Sequence, residues 1–309
     1  MTSASISTIE QQNQMLQYLQ QLQSQANNLE SQISTGVKSQ TYSGIAPQAA
    51  QSVDLQATQS LQQDYINNIG TVNNKLQIMG LAMQNIATVA TDFQGLLTND
   101  AYSTNGTNIQ QSAQQLLVEV GSYLNTQDGQ SYVFSGNQTA TPTYSAAGLP
   151  NPGDLTTNVA ADYYGGDNGV AAATVDTNVS VPYGVDGNNA AFEQIIRVLN
   201  FFANDATPLS QSNPADVANV NTAQQMLGNA ALQVQQLVAT AGQQQSDFTQ
   251  LSTAHQNAIT LANTSLNNIQ QVDSATAITQ LNTIQNQLEA SYQTINVIQG
   301  LSLAKYLTG

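Results

Sequence analysis

Apolar residues recur along Tyr65–Leu97 at alternating spacings of four and three: Tyr65, Ile69, Val72, Leu76, Met79, Met83, Ile86, Ala90, Phe93 and Leu97. The positions between them are mostly Asn, Gln, Thr and Ala, and no proline interrupts the run. A mean repeat of 3.5 residues keeps one narrow stripe facing a partner helix, so the spacing predicts a coiled-coil seam. At 1.5 Å per residue this stretch is a helix of roughly 50 Å. A helix with one apolar stripe must be covered by something, and the rest of the chain has to supply the cover.

The same spacing recurs at both ends. Met15, Leu19, Leu22, Ala26, Leu29 and Ile33 form a first seam ending near Gly36, a plausible helix C-terminus. Residues 37–48, with Tyr42-Ser43-Gly44-Ile45-Ala46-Pro47, read as a break, and the long helix is expected to start near Ala49. A third helix carries Ile109, Ala113, Leu116 and Val120 to about Leu124. Over residues 126–189 the helical period disappears. Prolines, glycines and short runs such as Ser131-Tyr132-Val133-Phe134 and Val179-Ser180-Val181-Pro182-Tyr183 predict a small β-rich segment. A short apolar helix follows at Phe192–Ala203, and after Pro214 a long helix, capped by Asn213 or Asp216, carries Val217, Val220, Leu227, Ala231, Val234, Val238, Ala241, Phe248 and Leu251. The last run is Leu281, Ile284, Leu288, Ser291, Ile295 and Ile298, helped by Ile278 and Tyr292.

The fold expected is mainly α: long antiparallel N- and C-terminal coiled-coil helices forming a rod, with a small β-rich domain inserted in the middle. Residues 1–44 with 266–309 make a terminal coiled-coil region, 45–125 with 190–265 a helical rod domain, and 126–189 the β-rich middle domain.

Composition then narrows the function. Only 7% of the 309 residues are charged, with four basic residues (Lys38, Lys75, Arg197, Lys305) against nineteen acids and a net charge of −15; ordinary soluble proteins are about 25% charged. Without a basic patch, neither nucleic acid nor an anionic membrane surface is an expected partner. There is no cysteine, no window of eighteen apolar residues, and no positive stretch followed by an apolar core at the N-terminus, which argues against a Sec signal peptide.

Several segments resemble the bacterial flagellin superfamily. Gln32-Ile33-Ser34-Thr35-Gly36 is similar to the family's opening helix and its glycine, and Val272-Asp273-Ser274-Ala275-Thr276-Ala277-Ile278-Thr279-Gln280-Leu281 with Leu301-Ser302-Leu303-Ala304-Lys305-Tyr306-Leu307 to its closing helix. Within the superfamily the middle motifs are most like the hook–filament junction family, the third hook-associated proteins. Tyr132-Val133-Phe134-Ser135-Gly136, with Pro142, resembles the motif that opens that family's middle domain, and Tyr164-Gly165-Gly166-Asp167 its tyrosine–glycine–aspartate motif. Ser43-Gly44-Ile45-Ala46-Pro47 departs from the family's serine–aspartate–aspartate–proline stretch by losing both acids, and the basic residue usual after the glycine is displaced to Lys38.

The resemblance implies an extracellular structural subunit of the flagellum, exported by the flagellar type III route. Its partners would be copies of itself in a ring or tube, a neighbouring hook-associated protein and flagellin, and an export chaperone. Filament flagellin itself is the alternative. A second is a flagellin-like surface protein whose middle domain binds glycans through Tyr144, Tyr163, Tyr164 and Tyr183, although a small domain also needs aromatics for its own core.

Enzymatic readings start poorly. The single histidine, His255, falls in a seam frame after Leu251 and reads as a helix contact; one histidine without cysteine cannot build a zinc site. Gly165-Gly166-Asp167-Asn168-Gly169 lacks the alternating acids of a calcium loop and reads as a tight turn. No nucleophile elbow or phosphate-binding glycine motif occurs. The Met79, Met83 and Phe93 stripe reads as core. The candidate functional residues are therefore the seam positions and the two middle motifs, with no catalytic residue, cofactor or metal expected.

Overall fold

A computed structural model describes residues 2–102, 107–149, 155–156, 161–205 and 207–307. Six helices account for most of them: α1 (Thr2–Thr35), α2 (Ala49–Asn99), α3 (Thr107–Leu124), α4 (Ala190–Asn204), α5 (Pro214–Gln270) and α6 (Ser274–Leu307). Two small antiparallel hairpins lie between α3 and α4: β1 (Gln127–Asp128) with β2 (Ser131–Tyr132), and β3 (Ala172–Asp176) with β4 (Val179–Pro182). The protein is mainly α with a small β part. The chain divides into two compact units, one of Met1–Ser60 with Ala258–Gly309 and the other of Leu61–Asn257.

In the first unit α1 and α6 pack side by side, antiparallel. Two chain breaks set this arrangement. Helix α1 stops because Gly36 adopts a left-handed φ of +73°, a conformation glycine enters without penalty, while its amide still donates to Gln32 O at 2.8 Å. The next residue forms an antiparallel bridge, Val37 with Gln271, between α5 and α6. The Lys38 amide donates to Gln270 O (2.7 Å), and the Val272 amide to Gly36 O (3.0 Å). The helix breaks of the N- and C-terminal arms are therefore hydrogen-bonded to each other. A 3-10 turn at Tyr42–Gln48, with Ile45 buried, then leads into α2.

In the second unit the α2 stripe is the spine of the core. All ten positions from Tyr65 to Leu97 are 7% exposed or less. The nine from Ile69 onward belong with Val220, Leu227, Val234 and Phe248 of α5 and Phe192, Ile195, Leu199 and Phe202 of α4 to one apolar core. Phe93 meets Phe202 edge-on, ring centroids 5.6 Å apart. Helix α4 starts at Asn189, whose Oδ1 accepts from the Ala191 amide (3.0 Å), and its last carbonyls are met by Gln114, which donates to Ala203 O at 2.9 Å. Arg197 on α4 pairs with Glu193 one turn earlier and donates to Leu155 O at 3.2 Å. Helix α5 begins with Pro214 in its first turn, where no amide is needed, and Asn213 Oδ1 caps the Ala215 amide at 3.1 Å.

The hairpins follow from their turn residues. Gly129 (φ +63°) turns β1 into β2, and Asn178 (φ +60°) turns β3 into β4. Along β3, Ala173 and Val175 are buried while Ala172, Thr174 and Asp176 face out, the two-residue period of a half-buried strand. A register shift between Thr174 and Asp176 marks a bulge before the turn.

Candidate functional site

Three features carry the predicted functional residues. The first is the α1–α6 pair. Leu19, Leu22 and Ala26 of α1 and Leu288 of α6 are buried together, with Leu281, Ile284 and Ile295 packed against them. Met15, Leu29, Ile33 and Ile298 are only half-buried. Outside this thin seam the pair shows a second set of apolar residues: Leu16, Tyr18, Ile278, Tyr292 and Val297 are 45–61% exposed. Each helix carries just two charged residues, Glu10 and Glu30 on α1, Glu289 and Lys305 on α6. Such a surface loses little in charge desolvation when it is covered, and gains roughly 25 cal/mol for each Å² of apolar area removed from water.

The second feature is the α2 stripe. Tyr65, Ile69, Val72, Leu76, Met79, Met83, Ile86 and Phe93 are covered by helices of their own unit, so their packing partners lie within the chain. His255 of α5 also belongs here. It is buried, with its ring 5.3 Å from that of Tyr65, Nδ1 against Gln62 Oε1 and Nε2 2.8 Å from Val175 O. Both ring nitrogens are engaged in joining α2, α5 and β3.

The third feature is a node where the two middle motifs interlock. The motif at Tyr132–Gly136 enters as strand β2: the Tyr132 amide donates to Thr139 O (2.8 Å) and the Val133 amide to Thr126 O (3.1 Å). Phe134 is fully buried, its ring 5.9 Å from Phe192, and its carbonyl accepts from the Gly187 amide at 2.7 Å. Ser135 then turns inward, its hydroxyl donating to Thr141 O at 2.9 Å and lying 3.0 Å from Thr143 Oγ1.

Against this runs the second motif. The Asp167 amide donates to Ser135 O at 3.2 Å. The Asp167 carboxylate Oδ1 accepts from the amides of Asn137 (2.7 Å) and Gly169 (3.0 Å). The Tyr164 hydroxyl sits 2.7 Å from Asp167 O and 3.3 Å from Phe134 O. The glycines make this approach possible. A Cβ on Gly166 would fall 2.6 Å from Ser135 O, and one on Gly165 would fall 2.5 Å from the carbonyl of the exposed Pro142. The Gly165–Gly169 segment is thus a turn whose acid is committed to backbone amides of the chain itself.

The tyrosines of this region belong to the core. Tyr144 and Tyr183 are buried, Tyr163 is fully buried with its hydroxyl donating to Gly187 O (2.9 Å), and Tyr164 is half-buried. Burial pushes the Tyr144 phenol up to about 12 and, with the help of Glu193 and Asp186, raises that of Tyr163 further. The platform a glycan would stack on is turned into the protein.

Two residues at the paired breaks have roles that periodicity does not signal. Lys38 Nζ donates to the last carbonyls of α5, Asn268 O (3.1 Å) and Ile269 O (2.9 Å), placing a positive charge on the negative end of that helix. Asp273 does the converse for α6: its Oδ1 accepts from the amides of Ala275 (3.0 Å) and Thr276 (3.2 Å), and its Oδ2 from the Thr276 hydroxyl (2.8 Å). The Thr276 hydroxyl, followed by these amides, holds the Asp273 carboxyl below its ordinary value. An Asp directly before a helical run, as at Asp273, is a sequence signal for an N-cap; nothing in the sequence ties Lys38 to the end of α5.

No protein-family model and no curated protein matches the chain in sequence. Solved structures match it in fold. A Vibrio parahaemolyticus protein described as a flagellar hook-associated protein aligns over 74% of this chain and all of its own length, with a TM-score of 0.60 and 14% identity. FlgL of Bacillus cereus aligns over 68% of this chain and 99% of its own, with a TM-score of 0.51 and 16% identity. At these identities the likeness is one of fold.

Proposed function

We propose that this chain is a structural subunit of the bacterial flagellum, of the type that joins hook to filament. The observation that carries the reading is the α1–α6 pair, an almost uncharged helix pair that leaves Leu16, Tyr18, Ile278, Tyr292 and Val297 exposed, in a chain whose fold is that of hook-associated proteins. Copies stand side by side in a ring, their terminal helices forming the wall of a tube and covering Leu16, Tyr18, Ile278, Tyr292 and Val297. The α2 stripe serves as the core of the second unit, and the interlocked motifs fix the inserted hairpins onto it. The axial neighbours are a second hook-associated protein on one side and flagellin on the other. The subunit reaches its place outside the cell by the flagellar type III route, held by an export chaperone beforehand. It needs no cofactor and performs no catalysis.

A filament subunit must bind copies of itself above and below, so its growth is open-ended, whereas a junction subunit has unlike axial neighbours. Purified protein is therefore expected to stay monomeric or form small oligomers and to add to isolated hooks. Cells lacking it should build hooks but shed filament subunits into the medium. Long regular filaments grown from this chain alone would make it a flagellin instead.

A further inference from the structure

Of the four basic residues, Lys38 caps α5, Arg197 is paired with Glu193, and Lys305 lies among residues whose side chains are not described. Lys75 is different. It is half-buried on α2, and it has no hydrogen bond and no carboxylate within ion-pair distance among the described residues. It lines a cleft of about 270 Å³ in the second unit, together with Met79, Tyr132, Val170, Tyr183 and Asp186. Val170 at this cleft is 60% exposed, an apolar residue left uncovered beside an uncompensated ammonium. Asp186, the other charged residue of the lining, does not pair with Lys75, and burial raises its carboxyl above the ordinary value. The volume falls just below the roughly 300–1,000 Å³ of small-molecule pockets and suits a protruding side chain better than a cofactor.

We propose that this cleft is a self-association site in which Lys75 receives an acidic side chain from a neighbouring copy of the chain. The inference rests on the assembly reading above and names one contact within it. Charge complementarity favours a second copy as the occupant. Each copy carries nineteen acids and a net charge of −15, so two copies repel at most mutual orientations. Among basic residues with described side chains, Lys75 is the one not already committed, so it selects the orientation that brings an acid to it. A half-buried ammonium in a largely apolar cleft is screened less by salt than an exposed one, and the pair it forms fixes register as well as adding attraction.

The test uses an equal mixture of isotopically light and heavy full-length protein added to hooks isolated from cells that lack it. A carbodiimide then joins amines to carboxylates in direct contact, and mass spectrometry identifies the linked peptides. Expected are light–heavy links through Lys75. In parallel, Lys75→Met should reduce the amount of protein added at low salt about tenfold, with Lys75→Arg close to the unaltered chain. Light–heavy links at other residues but none through Lys75, or Lys75 linked only to Asp186 of its own copy, would overturn this inference and leave the assembly reading standing. Protein that does not add to hooks at all would overturn the assembly reading and this contact with it. The cross-link is read on the unaltered chain, so a folding defect in Lys75→Met does not affect it.

Discussion

Gly136 and Asp167 occupy space that a single methyl group would close: a Cβ built on Gly136 would lie 2.3 Å from Asp167 Oδ1 and 2.4 Å from its carbonyl oxygen. Gly136 also has φ +66°, which L side chains rarely adopt. Gly136→Ala is therefore expected to destabilise the second unit by about 1–2 kcal/mol for backbone strain alone, and further by pushing the Asp167 carboxylate off the Asn137 amide. Gly129→Ala is the control, because φ there is +63° but nothing lies within 4 Å. It should show the strain without the collision. Denaturant unfolding of the two variants separates the effects, and equal losses would mean that the interlock adds nothing.

Ile86 is fully buried in the α2 stripe and Asn85 beside it is exposed. Ile86→Asp puts a carboxylate among apolar side chains, which costs several kcal/mol or forces it to stay protonated. Asn85→Asp should change stability by about 0.5 kcal/mol or less. Comparable losses in the two, read by thermal unfolding, would place the stripe in a different register.

Asp273 provides a pH dependence with a definite sign. Its carboxyl is lowered in the folded chain from an ordinary value of 3.8. The cap is therefore at full strength above that value and is lost as pH falls through the lower folded value. Amide exchange at Ala275 and Thr276 should accelerate in acid relative to mid-helix amides of α6. Asp273→Asn, which keeps an accepting oxygen but cannot titrate, should flatten that dependence, and an unchanged profile in the variant would assign it elsewhere.

Proteolysis should find the two units unequal. Among the described residues the α1–α6 pair buries four apolar side chains together, whereas the core of the second unit draws on α2, α3, α4, α5 and both middle motifs. In dilute solution, cleavage within α1 and α6 is expected first, leaving a resistant fragment close to 61–257. In the assembled state both helices should be protected. Cleavage of the second unit ahead of α1 and α6 would contradict this ordering.

The helices were legible because each long one buries a single stripe, and a stripe writes itself into the sequence as a period. The α2 positions from Tyr65 to Leu97 show this most clearly, and Gly36 and Asn213 marked helix ends by their own conformational and hydrogen-bonding preferences. What periodicity could not reveal were contacts between distant backbone groups. Lys38 reaches carbonyls 230 residues away, and any residue type presents those carbonyls. His255 looked like one more seam position, yet its ring bonds to Gln62 and to a strand carbonyl. The two middle motifs were visible as separate words; that they interlock depends on Gly136 and Gly166 lacking side chains, and nothing local ties residue 136 to residue 167.

The hydrogen bonds joining Gly36–Lys38 to Gln270–Val272 have a consequence in time. Closing so long a loop costs conformational entropy, and the bonds across it require both of its ends to be present. As the chain emerges from a ribosome, α1 (Thr2–Thr35) waits without its partner until α6 (Ser274–Leu307) has appeared. The second unit, whose segments all lie inside that loop, can fold in the meantime. The terminal pair can form only once both of its helices are present, so an interruption anywhere between them leaves it unformed.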